Sequence, residues 1–326
     1  MKNKENTNSM PLVSVVMACY NSEAYLRPAI DSVLGQTYRN IELVIVDDCS
    51  SDNTVSLIRE YAARDDRVRL IQRTERGGRP AITKNTALEH LKGKYVCFLD
   101  HDDYYDLDKI AVQVALLEAH PECIAAFHDV DLVNAEGALI ERYLANFPSD
   151  AQNYLAPISP QVYVCGPDFF VFQSVHYAAI HTISVMIARE RISAGCLHFD
   201  PRFKVCDDTD LWIRLGLEGQ MIYVHRNLAF YRQHAANITV DKSKSLEDAI
   251  LCLIQNVHRM KGRMKSADYT ALKNRLANYL SDAGWMYRNK RRSWKSFVAY
   301  CSAWRWSMAS RHLVHACKAF IPPRSS

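Results

Sequence analysis

Acidic residues crowd at positions where packing does not require them. In Tyr-Val-Cys-Phe-Leu-Asp-His-Asp-Asp-Tyr-Tyr, residues 95–105, Val96, Phe98 and Leu99 read as a short buried strand. Asp100, His101, Asp102 and Asp103 then place three carboxylates where that strand ends. Adjacent carboxylates repel unless a cation, a proton or solvent separates them, and ligands of open α/β sheets bind beyond the carboxyl ends of strands. Oxygen-rich ligation with room for water suits Mg²⁺ or Mn²⁺, which bridge protein carboxylates to substrate phosphates. A merely solvated acidic loop is the plainer alternative. A second cluster, Asp207-Asp208-Thr209-Asp210, opens a helical pattern. A carboxylate there is favoured by the helix dipole while its acidic neighbours oppose ionisation, which can leave one basic enough to accept a proton. All three could equally cap the helix.

The elements that must position these groups are legible in order. Residues 12–19 form an apolar, β-branched strand between Pro11 and Tyr20-Asn21. Ser22 is expected to cap a helix with Tyr25, Leu26, Ile30, Val33 and Leu34 on one face, closing at Gly35. Residues 41–46 form the second strand, ending at Asp47-Asp48, and Ser51 or Asp52 caps the next helix to about Ala63. Residues 68–71 are a third strand, followed by Arg76-Gly77-Gly78-Arg79-Pro80. Pro80 suits the first turn of a helix to His90 or Leu91, with Gly93 as its stop. Four such alternations predict parallel strands with right-handed crossovers. Tyr20-Asn21, Asp47-Asp48, Gly77-Gly78 and Asp100–Asp103 all follow strands and should converge on one edge.

Three segments carry a family resemblance: Val13 through Asn21, Val44-Ile45-Val46-Asp47-Asp48-Cys49-Ser50-Ser51-Asp52-Asn53-Thr54, and Lys92 through Asp103. Together they resemble a family 2 glycosyltransferase of the GT-A fold, a mixed, mainly parallel α/β sheet flanked by helices, over roughly residues 11–235. The resemblance implies an inverting transfer of one sugar from a nucleoside-diphosphate sugar, UDP-linked in the first instance, to a hydroxyl of a saccharide or lipid-linked saccharide. It also implies a role in surface polysaccharide synthesis. Tyr20 would stack on the base, Asn21 is grouped with the nucleotide-sugar-binding residues, and Asp48 would accept from the ring N–H of uracil or thymine. A core or cap role is the plainer alternative for Tyr20. Lys84 stands where relatives often carry arginine, keeping the charge without the planar fork; Arg79 would reach the phosphates or stay solvated. By the same resemblance Asp100 touches ribose or a metal-bound water, and Asp102 ligates Mn²⁺ or Mg²⁺. Asp103 caps the following turn. His101 is grouped with the donor-binding residues without a specific role. Asp207-Asp208-Thr209-Asp210-Leu211-Trp212 resembles the family's Glu-Asp-x-Asp-Leu-Trp helix start, making Asp208 the base and Asp210 a cap. In Tyr231-Arg232-Gln233-His234, Arg232 would approach the diphosphate and His234 the metal or a phosphate.

Further along, residues 106–119 predict a helix with Ile110, Val114 and Leu117 inward. Residues 123–127 predict a strand, and 131–140 a hairpin around Gly137. Residues 146–161, with three prolines and no period, read as acceptor-side loop. Phe169, Phe170 and Phe172 line an acceptor site or pack in the core. Residues 180–187, 221–224 and 228–231 read as strands.

The totals set bounds on this picture. At 326 residues with 48% hydrophobic and 23% charged, the chain is that of an ordinary globular protein. The division expected is a flexible 1–10, a catalytic domain at 11–240 (donor half 11–105, acceptor half 106–240) and a helical, basic region at 245–326. Ten cysteines with no C-x-x-C pair argue for reduced thiols. The polar start and the lack of a bilayer-length apolar run point to the cytosol, and the basic C-terminal helices and the resemblance to enzymes of surface-glycan synthesis allow a place at the inner face of the cell membrane. Net charge is +4, yet residues 286–326 carry nine Lys/Arg and no acid, leaving 1–285 at −5. A mildly acidic body argues against nucleic-acid binding, while the basic end can seek an anionic partner. Helices are expected at 246–261, 266–289 and 293–319, the last with Trp294, Phe297, Val298, Cys301, Trp304 and Met308 at helical spacing. Residues 290–320 could lie on an anionic membrane, pack on the catalytic domain, or join a homo-oligomer. The rival readings are a nucleotidyltransferase, which would release pyrophosphate, and an inactive scaffold subunit that keeps the fold.

Overall fold

The apolar runs of the first hundred residues form strands covered on both faces. In the computed structural model, which describes residues 10–142, 154–175, 180–235, 237 and 242–320, the first half runs as follows. It contains β1 (Val13–Cys19), α1 (Leu26–Leu34), β2 (Ile41–Asp47), α2 (Thr54–Ala62), β3 (Val68–Gln72), α3 (Pro80–Leu88), β4 (Tyr95–Phe98), β5 (Tyr104–Tyr105) and α4 (Lys109–Ala119). Then come β6 (Cys123–Val133), β7 (Leu139–Arg142), β8 (Leu155–Ser159), β9 (Val162–Cys165), α5 (Pro167–Val175), β10 (Met186–Ala188), α6 (Asp207–Gly216) and β11 (Gln220–Arg232). Four helices close the chain: α7 (Lys242–Met260), α8 (Ser266–Asn289), α9 (Ser293–Ser307) and α10 (Ser310–Cys317). Alternate side chains of each central strand serve different cores. Val15, Met17, Leu43, Ile45 and Cys97 pack beneath α1, α2 and α4, whereas Val16, Val44, Val46, Val96 and Phe98 pack beneath α3, α5 and α6. Two-sided burial is why these runs are apolar at nearly every position.

The sheet order is β3, β2, β1, β4, β10, β6, β11, β9, β8, with β5 paired to β11 and β7 to β6. β3, β2, β1 and β4 are parallel, β10 runs antiparallel between β4 and β6, and β6 and β11 are parallel. The chain moves outward from β1 to β3, then returns to its other side as β4. A crevice therefore opens at the carboxyl ends of β1 and β4, where the expected site residues lie.

Several expectations are corrected. Ser22 does not cap α1 through its side chain; its hydroxyl accepts the Tyr20 N–H at 3.1 Å and its N–H donates to Thr54 Oγ1 at 2.7 Å, joining the turn after β1 to the start of α2. Residues 180–187 make a 3₁₀ turn, Thr182–Ser184, before the three-residue β10. The two strands expected at 221–231 are one, β11, with register shifts at Val224/Asn227 and Asn227/Ala229. The hairpin around Gly137 is present, the glycine at φ 88°. Residues 146–153 of the proline-containing stretch lie outside the described residues, and the remainder forms β8. Phe169 and Phe170 are fully buried, so core packing holds for both.

A third core joins Ile213 of α6 to Leu253 and Val257 of α7 and to Leu272 and Leu276 of α8. α9 closes on α8 so tightly that a Cβ on Gly284 would stand 2.9 Å from the Tyr300 ring. The inward face of α9 is Ser296, Ala299, Tyr300 and Ala303, so Trp294, Val298 and Met308 are left exposed. The helix expected through residue 319 breaks at Met308, which takes the left-handed φ of 57°. No described helix is long and apolar enough to cross a membrane.

Candidate active site

The donor side begins where β1 and β2 end. Asn21, at φ 49°, donates its N–H to Ser50 Oγ and accepts the Ser51 N–H, both at 2.9 Å, stitching the two loops together. Tyr20 stands at the surface with the Arg76 guanidinium 3.9 Å from its ring centroid. Asp48 is buried and accepts the N–H groups of Gly77 at 2.7 Å and Gly78 at 2.9 Å, with Arg73 Nε at 3.0 Å. Two glycines are needed here, because a Cβ on Gly77 would meet Ile82 at 2.8 Å and Gly78 sits at φ 68°. Arg79 does not extend into solvent: its Nη1 donates to the carbonyls of Pro201 and Arg202, at 2.5 and 2.9 Å. Asn85 clasps the same loop, donating to Phe199 O at 2.7 Å and accepting from Phe199 N at 2.9 Å.

The acidic loop after β4 is held by the end of β11 and the residues that follow it. His234 Nε2 lies 3.0 Å from Asp102 Oδ2, with Asn237 Nδ2 at 3.4 Å and the Tyr25 ring stacked on the imidazole at 4.6 Å. Asp103 is corrected from a local cap to a long-range lock, accepting the backbone N–H of Arg232 at 2.8 Å. Burial, with Asp102 and Asp100 nearby, pushes the Asp103 carboxyl well above the usual carboxylate range. The Arg232 guanidinium is buried between the rings of Tyr25 and Tyr104 and donates to the carbonyls of Asp102 and Ala135, at 3.0 and 2.6 Å. Asp100 and His101 stay half-buried at the opening. Among the described residues no three His, Cys, Asp or Glu side chains gather as a metal cage. Asp102 and His234 bring one carboxylate oxygen and one imidazole nitrogen together, so water and phosphate oxygens would have to supply most of the shell of a hard cation there.

The N-terminus of α6 faces this loop. Asp208 Oδ2 accepts the Thr182 hydroxyl at 2.7 Å and Oδ1 accepts the Thr209 N–H at 2.6 Å. Asp207 is buried, 3.0 Å from the equally buried Lys84 Nζ. Burial pushes the Asp207 carboxyl up, with Lys84 opposing and Asp208 adding to the rise. Burial alone would drive the Lys84 ammonium down, but Asp207, Asp100 and Asp208 together hold it above the ordinary lysine value. Lys84 thus pairs with a carboxylate of α6 while the charge of Asp100, beyond β4, also acts on it, and its ammonium lies 4.7 Å from the Phe199 ring. His181 lies against Tyr231 at 4.7 Å and is pushed down by burial, while Asp208 and Asp100 pull it up. Asp210 is corrected from a cap to a bridge: it takes Arg214 Nε at 2.8 Å and Arg259 Nη2 of α7 at 2.9 Å.

Residues without a sequence signal complete the site. Thr182, His181 and Asn237 are isolated polar residues, and no spacing rule ties them to Asp208 or Asp102. Asp248 of α7 accepts the backbone N–H groups of Lys204 and Val205, the latter at 2.7 Å, and Gln255 donates to Asp200 at 3.2 Å. α7 therefore grips the loop that delivers Asp207 and Asp208.

Residues 14–176 match the family described as Glycosyl transferase family 2. TuaG of Bacillus subtilis (strain 168), a glycosyltransferase assigned to teichuronic acid biosynthesis, is 28% identical over 276 residues, 83% of this chain and 100% of that protein. Residues 1–349 of S. aureus TarS, in complex with UDP-GlcNAc, superpose with a TM-score of 0.64 at 17% identity, over 95% of this chain and 88% of that one. The mannosyltransferase PcManGT of Pyrobaculum calidifontis, in complex with GDP-Man and Mn²⁺, gives a TM-score of 0.58 at 17% identity, over 98% and 89%. With a family match over half its length and a fold shared with these transferases, the chain belongs to glycosyl transferase family 2 and adopts the GT-A fold.

Proposed function

We propose that the protein transfers a single sugar, with inversion, from a UDP-linked donor to a hydroxyl of a saccharide or lipid-linked saccharide in surface polysaccharide synthesis. The observation that carries this is the buried ion pair of Lys84 with Asp207 at the start of α6, 3.0 Å apart and next to Asp208, with Asp100 at the end of β4 close enough for its charge to act on the same ammonium. Asp208, held in place by Thr182, takes the acceptor proton as the new bond forms. A single base opposite the leaving diphosphate suffices for single displacement and therefore inversion. Asp102 and His234 would hold Mn²⁺ or Mg²⁺; when bound, that ion neutralises charge on the leaving diphosphate. Tyr20, Asn21 and Asp48 line the base end of the crevice, and Lys84 and Arg79 brace its walls. TuaG supports a surface-glycan acceptor, and TarS with UDP-GlcNAc supports a UDP-linked donor.

The test is calorimetry and nucleotide-release assay of wild type and Asp208→Asn against UDP, GDP, dTDP and CMP sugars, with Mn²⁺, Mg²⁺ or EDTA. A UDP sugar should bind in the presence of metal. Asp208→Asn should keep that affinity while transfer drops about 10²- to 10⁴-fold. Release of pyrophosphate in place of nucleoside diphosphate, or undiminished transfer by the variant, would overturn the proposal.

A further inference from the structure

The surface of α9 and α10 is apolar and basic at once. Trp294 is 67% exposed and Phe320 57% exposed. Between them Phe297 stacks on Trp294 at 5.6 Å and lies 5.6 Å from the Phe320 ring, so two rings of α9 and one from the turn after α10 form one continuous strip. Trp294 and Val298 also form the rim of a groove of about 450 Å³ whose floor includes Ile250 and Leu280. Exposed cations flank the strip along the chain: Lys290, Arg291 and Arg292 immediately before Trp294, Lys295 after it, and Lys318 beside Phe320. No Asp or Glu occurs from 286 to the end of the chain. The catalytic groups do not use this strip.

We infer that this strip is a docking surface for an anionic lipid bilayer, with Trp294, Phe297 and Phe320 entering the interface and the flanking lysines and arginines meeting lipid phosphates. Aromatic rings are favoured at the level of the headgroups, and each nearby cation adds attraction to an anionic leaflet. A second copy of the chain is the weaker occupant, because a two-fold contact would set the cations Lys290, Arg291, Arg292 and Lys295 against their own copies, with Glu247 as the one acid lining the groove beside them. Nucleic acid is weaker too. Its bases need splayed rings to stack between, whereas these rings already pack on one another beside an apolar groove. The inference stands apart from the catalytic proposal, since its readout requires neither donor nor transfer.

The experiment is flotation of the full chain with vesicles of phosphatidylcholine alone and of phosphatidylcholine mixed with phosphatidylglycerol, at low and high salt. Binding should be confined to the anionic vesicles and should weaken as salt rises. The variant Lys290→Gln/Arg291→Gln/Arg292→Gln should lose about fivefold per charge, roughly a hundredfold altogether. Trp294→Ser/Phe320→Ser should lose at least about tenfold while keeping its cations. Because all five positions are exposed, both variants should melt as the wild type does, and donor-binding affinity should not move. The inference is overturned by any of three results: equal binding to both vesicle types or to neither, duplex DNA bound more tightly than the anionic vesicles, or a dimer in sedimentation that Trp294→Ser/Phe320→Ser dissolves.

Discussion

Replacing Lys84 by methionine removes the charge at near-constant volume and leaves Asp207 as a buried carboxylate without its cation. Both partners are about 5% exposed at a separation of 3.0 Å, and breaking one side of such a pair costs about 3–5 kcal/mol. For a chain of this size that lowers the melting midpoint by on the order of 10 °C. The sign of the pH dependence follows from Asp207. Its carboxyl is already raised by burial in the wild type, and loss of Lys84 raises it further. A group whose folded pKa lies above its unfolded value contributes stability in acid that is lost as pH rises through the folded pKa. The deficit of Lys84→Met should thus be smaller in acid and grow as pH rises, at up to about 1.4 kcal/mol per pH unit between the two Asp207 pKa values. Lys84 itself is charged throughout that window, because its own pKa is raised, and adds no slope. Thermal unfolding of wild type, Lys84→Met, Asp207→Asn and the double variant across pH 5–8 measures the coupling directly. A deficit that is the same at both ends of the range, or a double variant no more stable than Lys84→Met, would refute the ion-pair account.

Other substitutions test other parts of the molecule. Asp102→Ala should remove the metal-dependent part of donor binding, and His234→Ala should weaken it by about 10- to 100-fold; titration of donor with and without Mn²⁺ reads both. Asp248→Ala deprives two backbone N–H groups of their acceptor. It should cost about 2–4 kcal/mol in unfolding experiments and lower transfer beyond what the remaining folded fraction explains, because the loop leading to Asp208 is released. Gly216→Ala would place a Cβ 2.0–2.4 Å from the Phe170 ring; with no room for either side to move, we expect more than about 3 kcal/mol of destabilisation or insoluble protein, checked by soluble yield and melting.

What the sequence determined by itself is the set of elements and the places where chemistry gathers. The runs 13–19, 41–47 and 95–98 announce strands because both of their faces are covered, so most positions are apolar, with Ser14, Glu42 and Asp47 the exceptions. Acids at 47–48 and 100–103, polar beyond any packing need, mark the ends of those strands. What only the tertiary structure decided is which polar atom meets which. Asp103 meets the backbone of Arg232 across 129 residues, and Lys84 meets Asp207 across 123. Asp208 rests on Thr182, and Asp248 on the loop at 204–205. A short-range pattern encodes hydrophobic periodicity and caps, whereas a buried polar group takes whichever partner the fold brings within about 3 Å. The same holds for the sheet. Local sequence produced β10 only as an apolar stretch, and its shortness and antiparallel direction follow from the gap left between β4 and β6. On α9 the apolar periodicity named Trp294, Val298 and Met308, but the helix turned its small residues inward. Ala299, Ala303 and Ser296 let it approach Gly284 of α8 closely, and that approach left the large rings outside.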